Sequence, residues 1–282
     1  MFKIFIIGSK GYFGANFVDF FNKKGWEVLT DRLDIRDYSA VKKFLTEKKP
    51  AVVLNAAGKT GTPNVDWCES HKSETMSVNV AGAINITCVC AELGIYFVQI
   101  GSGCIYEGNN SGQGFSEEDP PNFFGSFYSR TKILSENALK EFNVLQLRVR
   151  IPVEGRSHPK NVIDKLVKYN KIISVENSFT VVEDFLPATY ELIQKRQTGI
   201  FNMTNPGATN HRFIMEHYTK IVDPKKTFTY MTLDELAKIT TAPRSNCVLK
   251  TDKLEKLGIK MPEIKKRIPE IMEKYKENKN GF

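Results

Sequence analysis

The sequence predicts an α/β fold, a doubly wound parallel sheet with a smaller and less regular C-terminal lobe, and three observations carry that prediction. Short, apolar, β-rich runs recur between helical patterns, at Ile4–Ile7, Glu27–Leu29, Ala51–Leu54, Tyr96–Ile100 and Val144–Val149. The first run leads directly into a glycine loop, and the loop leads directly into Ala15–Phe21, which has helical spacing. After Arg150-Ile151-Pro152 the alternation lapses into shorter elements with Pro and Asn clusters.

The glycine loop is Gly8-Ser9-Lys10-Gly11-Tyr12-Phe13-Gly14. Strand, glycine loop and helix in that order form the dinucleotide-binding (Rossmann) context. Glycines let the backbone turn sharply and let a pyrophosphate approach the N–H groups and positive dipole of the helix N-terminus. Trp26–Leu29 supplies the second strand, and Ala51–Leu54 the third, running into Asn55-Ala56-Ala57-Gly58. The longest helical pattern, His71–Leu93, precedes the fourth strand and carries Asn79, which reads as a helix-packing or cofactor-side residue. Then comes an amphipathic run, Phe127–Phe142, containing Tyr128-Ser129-Arg130-Thr131-Lys132. Tyr128 and Lys132, four residues apart on a helix, share one face. A phenol and an ammonium so placed suit carbonyl reduction: one gives a proton to the forming alkoxide, while the other stabilises the phenolate and holds a ribose.

Beyond Arg150, a helix is expected over Phe185–Ile193 and a strand over Ile200–Met203. The expected organisation is a nucleotide-binding domain over 1–150, with a segment near 175–203 returning to the sheet, and a substrate lobe from 151–174 and 204–282. Lys253–Lys279 alternates Lys with Glu and reads as short helices around Pro262 and Pro269, with a solvated charged face. That region holds much of the net charge of +8. The chain has no basic stripe interleaved with aromatics, which argues against nucleic acid as a partner, while a positive field favours anionic nucleotide ligands. With 282 residues, 41% of them hydrophobic, the chain is long enough for a full core. No uninterrupted apolar run reaches the roughly 18 residues of a membrane span, so a cytoplasmic enzyme is expected. The five cysteines lack metal-type spacing, no metal site is expected, and Cys88 and Cys90 read as small buried hydrophobes on different helix faces.

Taken in order, the glycine loop, Asn55-Ala56-Ala57-Gly58, Asn79, Ser102, Tyr128 and Lys132 resemble an extended short-chain dehydrogenase/reductase acting on nucleotide sugars. Longer strings are more specific: Thr60–Glu69, Gly103-Cys104-Ile105-Tyr106-Glu107, Asn122–Ser129 and Ala242-Pro243-Arg244-Ser245-Asn246 resemble the epimerase/reductases of plant UDP-L-rhamnose synthesis. The resemblance implies 3,5-epimerisation of UDP-4-keto-6-deoxyglucose followed by 4-reduction, with Ser102, Tyr128 and Lys132 as reductive triad. It further implies Thr60, Asn64, Asn161 and Arg244 near the sugar nucleotide, a homodimer, and a separate 4,6-dehydratase that makes the substrate. Cys104 resembles the cysteine of GDP-fucose synthase, another epimerase/reductase of this fold, and by strand periodicity it shares a side with Ser102. Where that enzyme has a histidine this chain has Asn161, so Lys165, one helical turn on, becomes the second acid/base candidate. NADPH is expected over NADH, because Arg32, with Lys10, suits a 2′-phosphate, although Asp31 and Asp34 suit a free ribose hydroxyl. A reductase without epimerase activity is one alternative, and a non-catalytic nucleotide-binding regulatory subunit is another.

Overall fold

The computed structural model describes residues 2–280. The chain divides into two compact units. The first runs to Ile105 and adds Pro121–Arg148 and Leu192–Phe201; the second comprises Tyr106–Pro120, Val149–Glu191 and the chain from Asn202 onward. The segment returning to the first unit is thus shorter than 175–203, and 106–120 groups with the second unit.

Strands and helices alternate through the first unit. They are β1 (Lys3–Ile7), α1 (Tyr12–Lys23), β2 (Glu27–Leu29), α2 (Tyr38–Lys48), β3 (Val52–Asn55), α3 (Asp66–Ser70) and α4 (Lys72–Met76). Then α4 runs through a π-helical turn (Ser77–Gly82) into α5 (Ala83–Leu93), followed by β4 (Tyr96–Ser102), α6 (Phe127–Leu139) and β5 (Val144–Val149). Next come β6 (Pro152–Val153), α7 (Val162–Val167), β7 (Lys171–Ile172), β8 (Thr180–Val181), α8 (Val182–Gln194) and β9 (Gly199–Asn202). The chain continues with α9 (His211–Ile221), β10 (Thr229–Tyr230), α10 (Leu233–Ile239), α11 (Asp252–Lys256) and α12 (Ile264–Asn280).

One six-stranded sheet has the order β2-β1-β3-β4-β5-β9. The pairs β1–β2, β1–β3 and β3–β4 are parallel, with Ile4 opposite both Val28 and Val52, and Asn55 opposite Gln99. Strands buried on both faces read as unbroken apolar runs, which is why Ile4–Ile7 and Val52–Leu54 were legible. The chain proceeds from β1 to one side and then, with β3, to the other, so the loops after β1 and β3 flank the crevice where doubly wound sheets bind ligands.

Phe5, Val53 and Phe97 of the sheet join Val41 and Leu45 of α2 and Ile86, Val89 and Cys90 of α5 in one buried cluster. The 22-residue helix Lys72–Leu93 is long and apolar enough by composition to span a membrane. Ala83, Ile86, Val89 and Cys90 of this helix are buried in the core, with Val78 and Ile84 packed against it. Burial pushes the Cys90 thiol up to about 12, as expected of an inert small hydrophobe, while Cys88 is only half-buried.

The second unit has its own core, in which Val153, Ile163, Leu166, Phe179, Met215 and Tyr218 meet Ile268, Ile271, Met272 and Tyr275 of α12. Here the structure departs from the expected short helices: α12 continues through Pro269 as one element. A proline inside a helix costs about 3 kcal/mol. Four large side chains buried along one face, each contributing about 1.5–3 kcal/mol, outweigh that cost.

A buried ion pair fastens α6 to β5. Arg148 and Glu136 are 0% and 5% exposed, with Nε–Oε2 and Nη2–Oε1 both at 2.8 Å. Removing one partner strands the other charge, so Glu136→Gln is expected to cost about 3–5 kcal/mol in urea denaturation. The paired change Glu136→Leu with Arg148→Met should cost less than that single change.

Candidate functional site

Close backbone approach is what requires glycine at Gly8 and Gly14. Gly8 is left-handed (φ 76°), and a Cβ there would lie 2.7 Å from the Ala57 nitrogen; one on Gly14 would lie 2.0 Å from the Gly8 carbonyl oxygen. Gly11 donates its N–H to that same carbonyl at 2.9 Å and precedes α1 with no side chain capping the helix. The loop after β1 is thereby pressed against the loop after β3, and Tyr12 and Phe13 open α1 directly after Gly11. Such a cradle fits a diphosphate: close backbone approach, N–H groups and a positive helix end coincide.

Asn55 braces this arrangement. It is 1% exposed, donates to Gln99 Oε1 at 2.9 Å and accepts from the Ala57 N–H at 3.0 Å, holding the Ala56-Ala57-Gly58 turn. In the loop beyond β2, Asp34 is gripped by Arg36 (Oδ2–Nη2 2.6 Å), whose hydrogen bonds hold its carboxyl down at about 2. Arg32 and Lys10 are exposed.

Asn79 sits on the π-helical turn and joins three segments. Its Oδ1 accepts from the Lys59 N–H at 2.7 Å, and its Nδ2 donates to the Lys59 carbonyl at 3.0 Å and to Thr131 Oγ1 at 3.1 Å. Thr131 in turn donates to the Tyr128 carbonyl at 2.7 Å. The loop after β3 is thus tied to the helix that carries Tyr128. That loop holds exposed Thr60 and half-buried Asn64, whose Oδ1 accepts from the Asp66 N–H at 2.8 Å.

The α6 helix is capped twice: Ser126 Oγ accepts from the Ser129 N–H at 3.1 Å, and Glu69 Oε1 accepts from the Phe127 N–H at 2.6 Å. Ser129 donates to the Cys104 carbonyl at 2.5 Å. Ser102, 4% exposed, ends β4, and its Oγ accepts from the Cys104 N–H at 3.1 Å, which leaves the hydroxyl proton to be donated onward. Lys132, 8% exposed, donates from Nζ to the Ile100 carbonyl at 3.0 Å. Burial lowers its pKa to about 8, against the raising effects of Glu136 and Cys104. The structure therefore brings Ser102, Cys104 and the Tyr128/Lys132 helix together in the first unit.

Two expectations need correcting. Cys104 does not follow strand periodicity, because β4 stops at Ser102 and the Ser102 side chain closes a turn that contains the cysteine. Asn161 is 0% exposed and is consumed by its own loop, donating to the Glu154 and Arg156 carbonyls at 2.8 Å and capping α7 through the Ile163 N–H at 3.2 Å. It orients α7, on which half-buried Lys165 lies, instead of presenting an amide to a ligand. Asn161, Lys165 and Arg244 all belong to the second unit. The network residues Glu69, Ser129, Thr131 and Glu136 were missed; the Ser126-to-Ser129 spacing at a helix start was the one available signal.

Residues 2–277 match the RmlD substrate binding domain. The chain belongs to this family. The Arabidopsis thaliana bifunctional dTDP-4-dehydrorhamnose 3,5-epimerase/dTDP-4-dehydrorhamnose reductase is 41% identical over 261 residues, covering 90% of this chain and 87% of that protein. The Arabidopsis trifunctional UDP-glucose 4,6-dehydratase/UDP-4-keto-6-deoxy-D-glucose 3,5-epimerase/UDP-4-keto-L-rhamnose-reductase RHM1 is also 41% identical over 261 residues. This chain spans 39% of the length of RHM1 and 90% of its own. The crystal structure of the L780 UDP-rhamnose synthase from Acanthamoeba polyphaga mimivirus superposes with a TM-score of 0.92 at 32% identity, covering 96% of this chain and 99% of that one.

The depressed Lys132 pKa has a sign that denaturation reads in this RmlD-family chain. Folding suppresses protonation, so the unfolded chain binds more protons between about 8 and the ordinary 10.5, and stability rises with pH across that window. Below about 8 the burial penalty acts in full. Lys132→Met is therefore expected to be more stable than the parent at pH 7, on the order of 1–3 kcal/mol, with the gain shrinking as urea titrations move from pH 8 to 10.5.

Proposed function

We propose that the protein is an NADPH-dependent nucleotide-sugar 4-ketoreductase with 3,5-epimerase activity, converting UDP-4-keto-6-deoxy-D-glucose to UDP-L-rhamnose. The observation that carries the reading is the buried Lys132 ammonium, anchored on the Ile100 carbonyl one helical turn from Tyr128, with Ser102 ending the same strand. The relatives' names supply the substrate class.

When bound, the dinucleotide supplies the hydride for C4. Tyr128 donates a proton to the C4 oxygen, and Ser102, its Oγ fixed by the Cys104 N–H, donates a hydrogen bond to the same atom. Lys132 stabilises the resulting phenolate and holds the ribose. Arg32 and Lys10 offer positive charge to a 2′-phosphate. The same C4 donors stabilise an enolate, because the ketone acidifies the hydrogens on C3 and C5. Epimerisation must come first, since reduction removes that acidity. Cys104 and Lys165 are the candidates for carrying protons to and from the two carbons, and Arg244 for meeting the diphosphate.

Purified protein incubated with UDP-4-keto-6-deoxyglucose and NADPH should yield UDP-L-rhamnose. Tyr128→Phe should keep NADPH binding and lose about 10²-fold or more in turnover; undiminished NADPH oxidation by this variant would sink the assignment. In D₂O without NADPH, the parent enzyme should exchange deuterium into C3 and C5 of the keto-sugar. Cys104→Ala should lose exchange at one or both carbons and still oxidise NADPH with ready-made 4-keto-rhamnose. No exchange by the parent would leave a simple reductase.

A further inference from the structure

Arg150 follows the last residue of β5 and is 3% exposed, yet no role falls to it in the chemistry above. Its main chain is held by Thr180, whose N–H donates to the Arg150 carbonyl at 2.7 Å and whose Oγ1 accepts from the Arg150 N–H at 2.9 Å. Its Nη2 donates to Asn177 Oδ1 at 2.6 Å and to the Ser245 carbonyl. Asn177, 0% exposed, extends the reach of the guanidinium: its Oδ1 also accepts from the Cys247 N–H at 3.0 Å, and its Nδ2 donates to Asn246 Oδ1 at 3.1 Å. Ser245 Oγ donates to the Tyr106 carbonyl at 2.6 Å, and the Asn246 carbonyl accepts from the Gly108 N–H at 2.8 Å.

Ser245, Asn246 and Cys247 are therefore each tied to one buried network, although they lie outside any helix or named strand. Fixing an irregular backbone costs conformational entropy at every residue held. Hydrogen bonds from a buried cation are among the stronger ones available to offset it. The residue immediately before this segment is Arg244, whose Nη1 donates to the Ala242 carbonyl at 2.7 Å and whose own carbonyl accepts from Asn246 Nδ2 at 3.1 Å. Both ends of Arg244 are thus set by the Ala242–Asn246 conformation.

We propose that Arg150 is a positioning residue for nucleotide-sugar recognition: together with Asn177 it fixes Ser245–Cys247, and so presents the Arg244 guanidinium in one orientation to an anionic diphosphate. The proposal rests on the reading in which Arg244 meets that diphosphate. An arginine held in place before the ligand arrives loses less freedom on binding, so the benefit appears in affinity for the sugar nucleotide. The rate of the chemical step and the affinity for NADPH are left alone.

The test is a double-mutant cycle on Arg150→Met and Arg244→Ala, with Arg150→Lys as the conservative variant. Sugar-nucleotide KM, NADPH KM and kcat are read after urea denaturation has established that each variant folds. Calorimetric titration with UDP reads the same contrast without turnover. Arg244→Ala and Arg150→Met should each raise the sugar KM and weaken UDP binding about tenfold or more, with NADPH KM unchanged. Arg150→Lys should recover part of the loss. The double variant should be no worse than Arg244→Ala, because a residue acting through another has nothing left to act on. Additive losses, or an unchanged sugar KM in folded Arg150→Met, overturn the proposal. If Arg244→Ala binds UDP normally, the assignment of Arg244 fails first and takes this inference with it. Should Arg150→Met not fold, Arg150→Lys takes its place in the cycle: a smaller rise in sugar KM that vanishes on an Arg244→Ala background is expected, and an additive loss or an unchanged sugar KM overturns the proposal.

Discussion

The site depends on how α6 is seated, and α6 is seated by the buried pairing of Glu136 with Arg148. The pair lies one helical turn beyond Lys132 and fixes both the rotation and the height of the helix against β5. With that end clamped, the other end is set by caps from two directions, Ser126 locally and Glu69 from α3. Tyr128 and Lys132 lie between the clamp and the caps. Their mutual geometry is thus a consequence of backbone placement more than of any contact between them.

Electrostatics follow from the same seating. Burial opposes the charge on Lys132, while Glu136 opposes that effect and keeps the ammonium accessible near neutrality. Glu136 is simultaneously neutralised by Arg148, so the neighbourhood retains net positive character without a stray carboxylate beside the phenol. An environment of this kind favours negative charge that develops beside it.

Much of this was legible in the chain itself. The strands of the sheet were visible because a parallel strand buried on both faces leaves a continuous apolar run, and the glycine loop because close backbone approach excludes every side chain at Gly8 and Gly14. Periodicity failed where side chains overrule the backbone. Cys104 sits in a turn closed by the Ser102 hydroxyl, and Asn161 is spent on capping. Pro269 failed to break α12 because packing across the second core was worth more than one helix hydrogen bond. The networks around Asn79 and Arg150 join residues 20 or more positions apart, and no local pattern announces such partners.

The π-helical turn at Ser77–Gly82 sets the register of the helix it interrupts. A turn of this type holds one residue more than an α-helical turn, so the helix on either side of it is out of phase by about 100° relative to an uninterrupted one. That offset is what lets Asn79 address the Lys59 backbone while Ile86, Val89 and Cys90 still address the sheet. Deleting one residue within Ser77–Gly82 would restore a regular helix and rotate one of its halves by about that angle. The register of the helix across this turn is therefore part of how the loop after β3 is held.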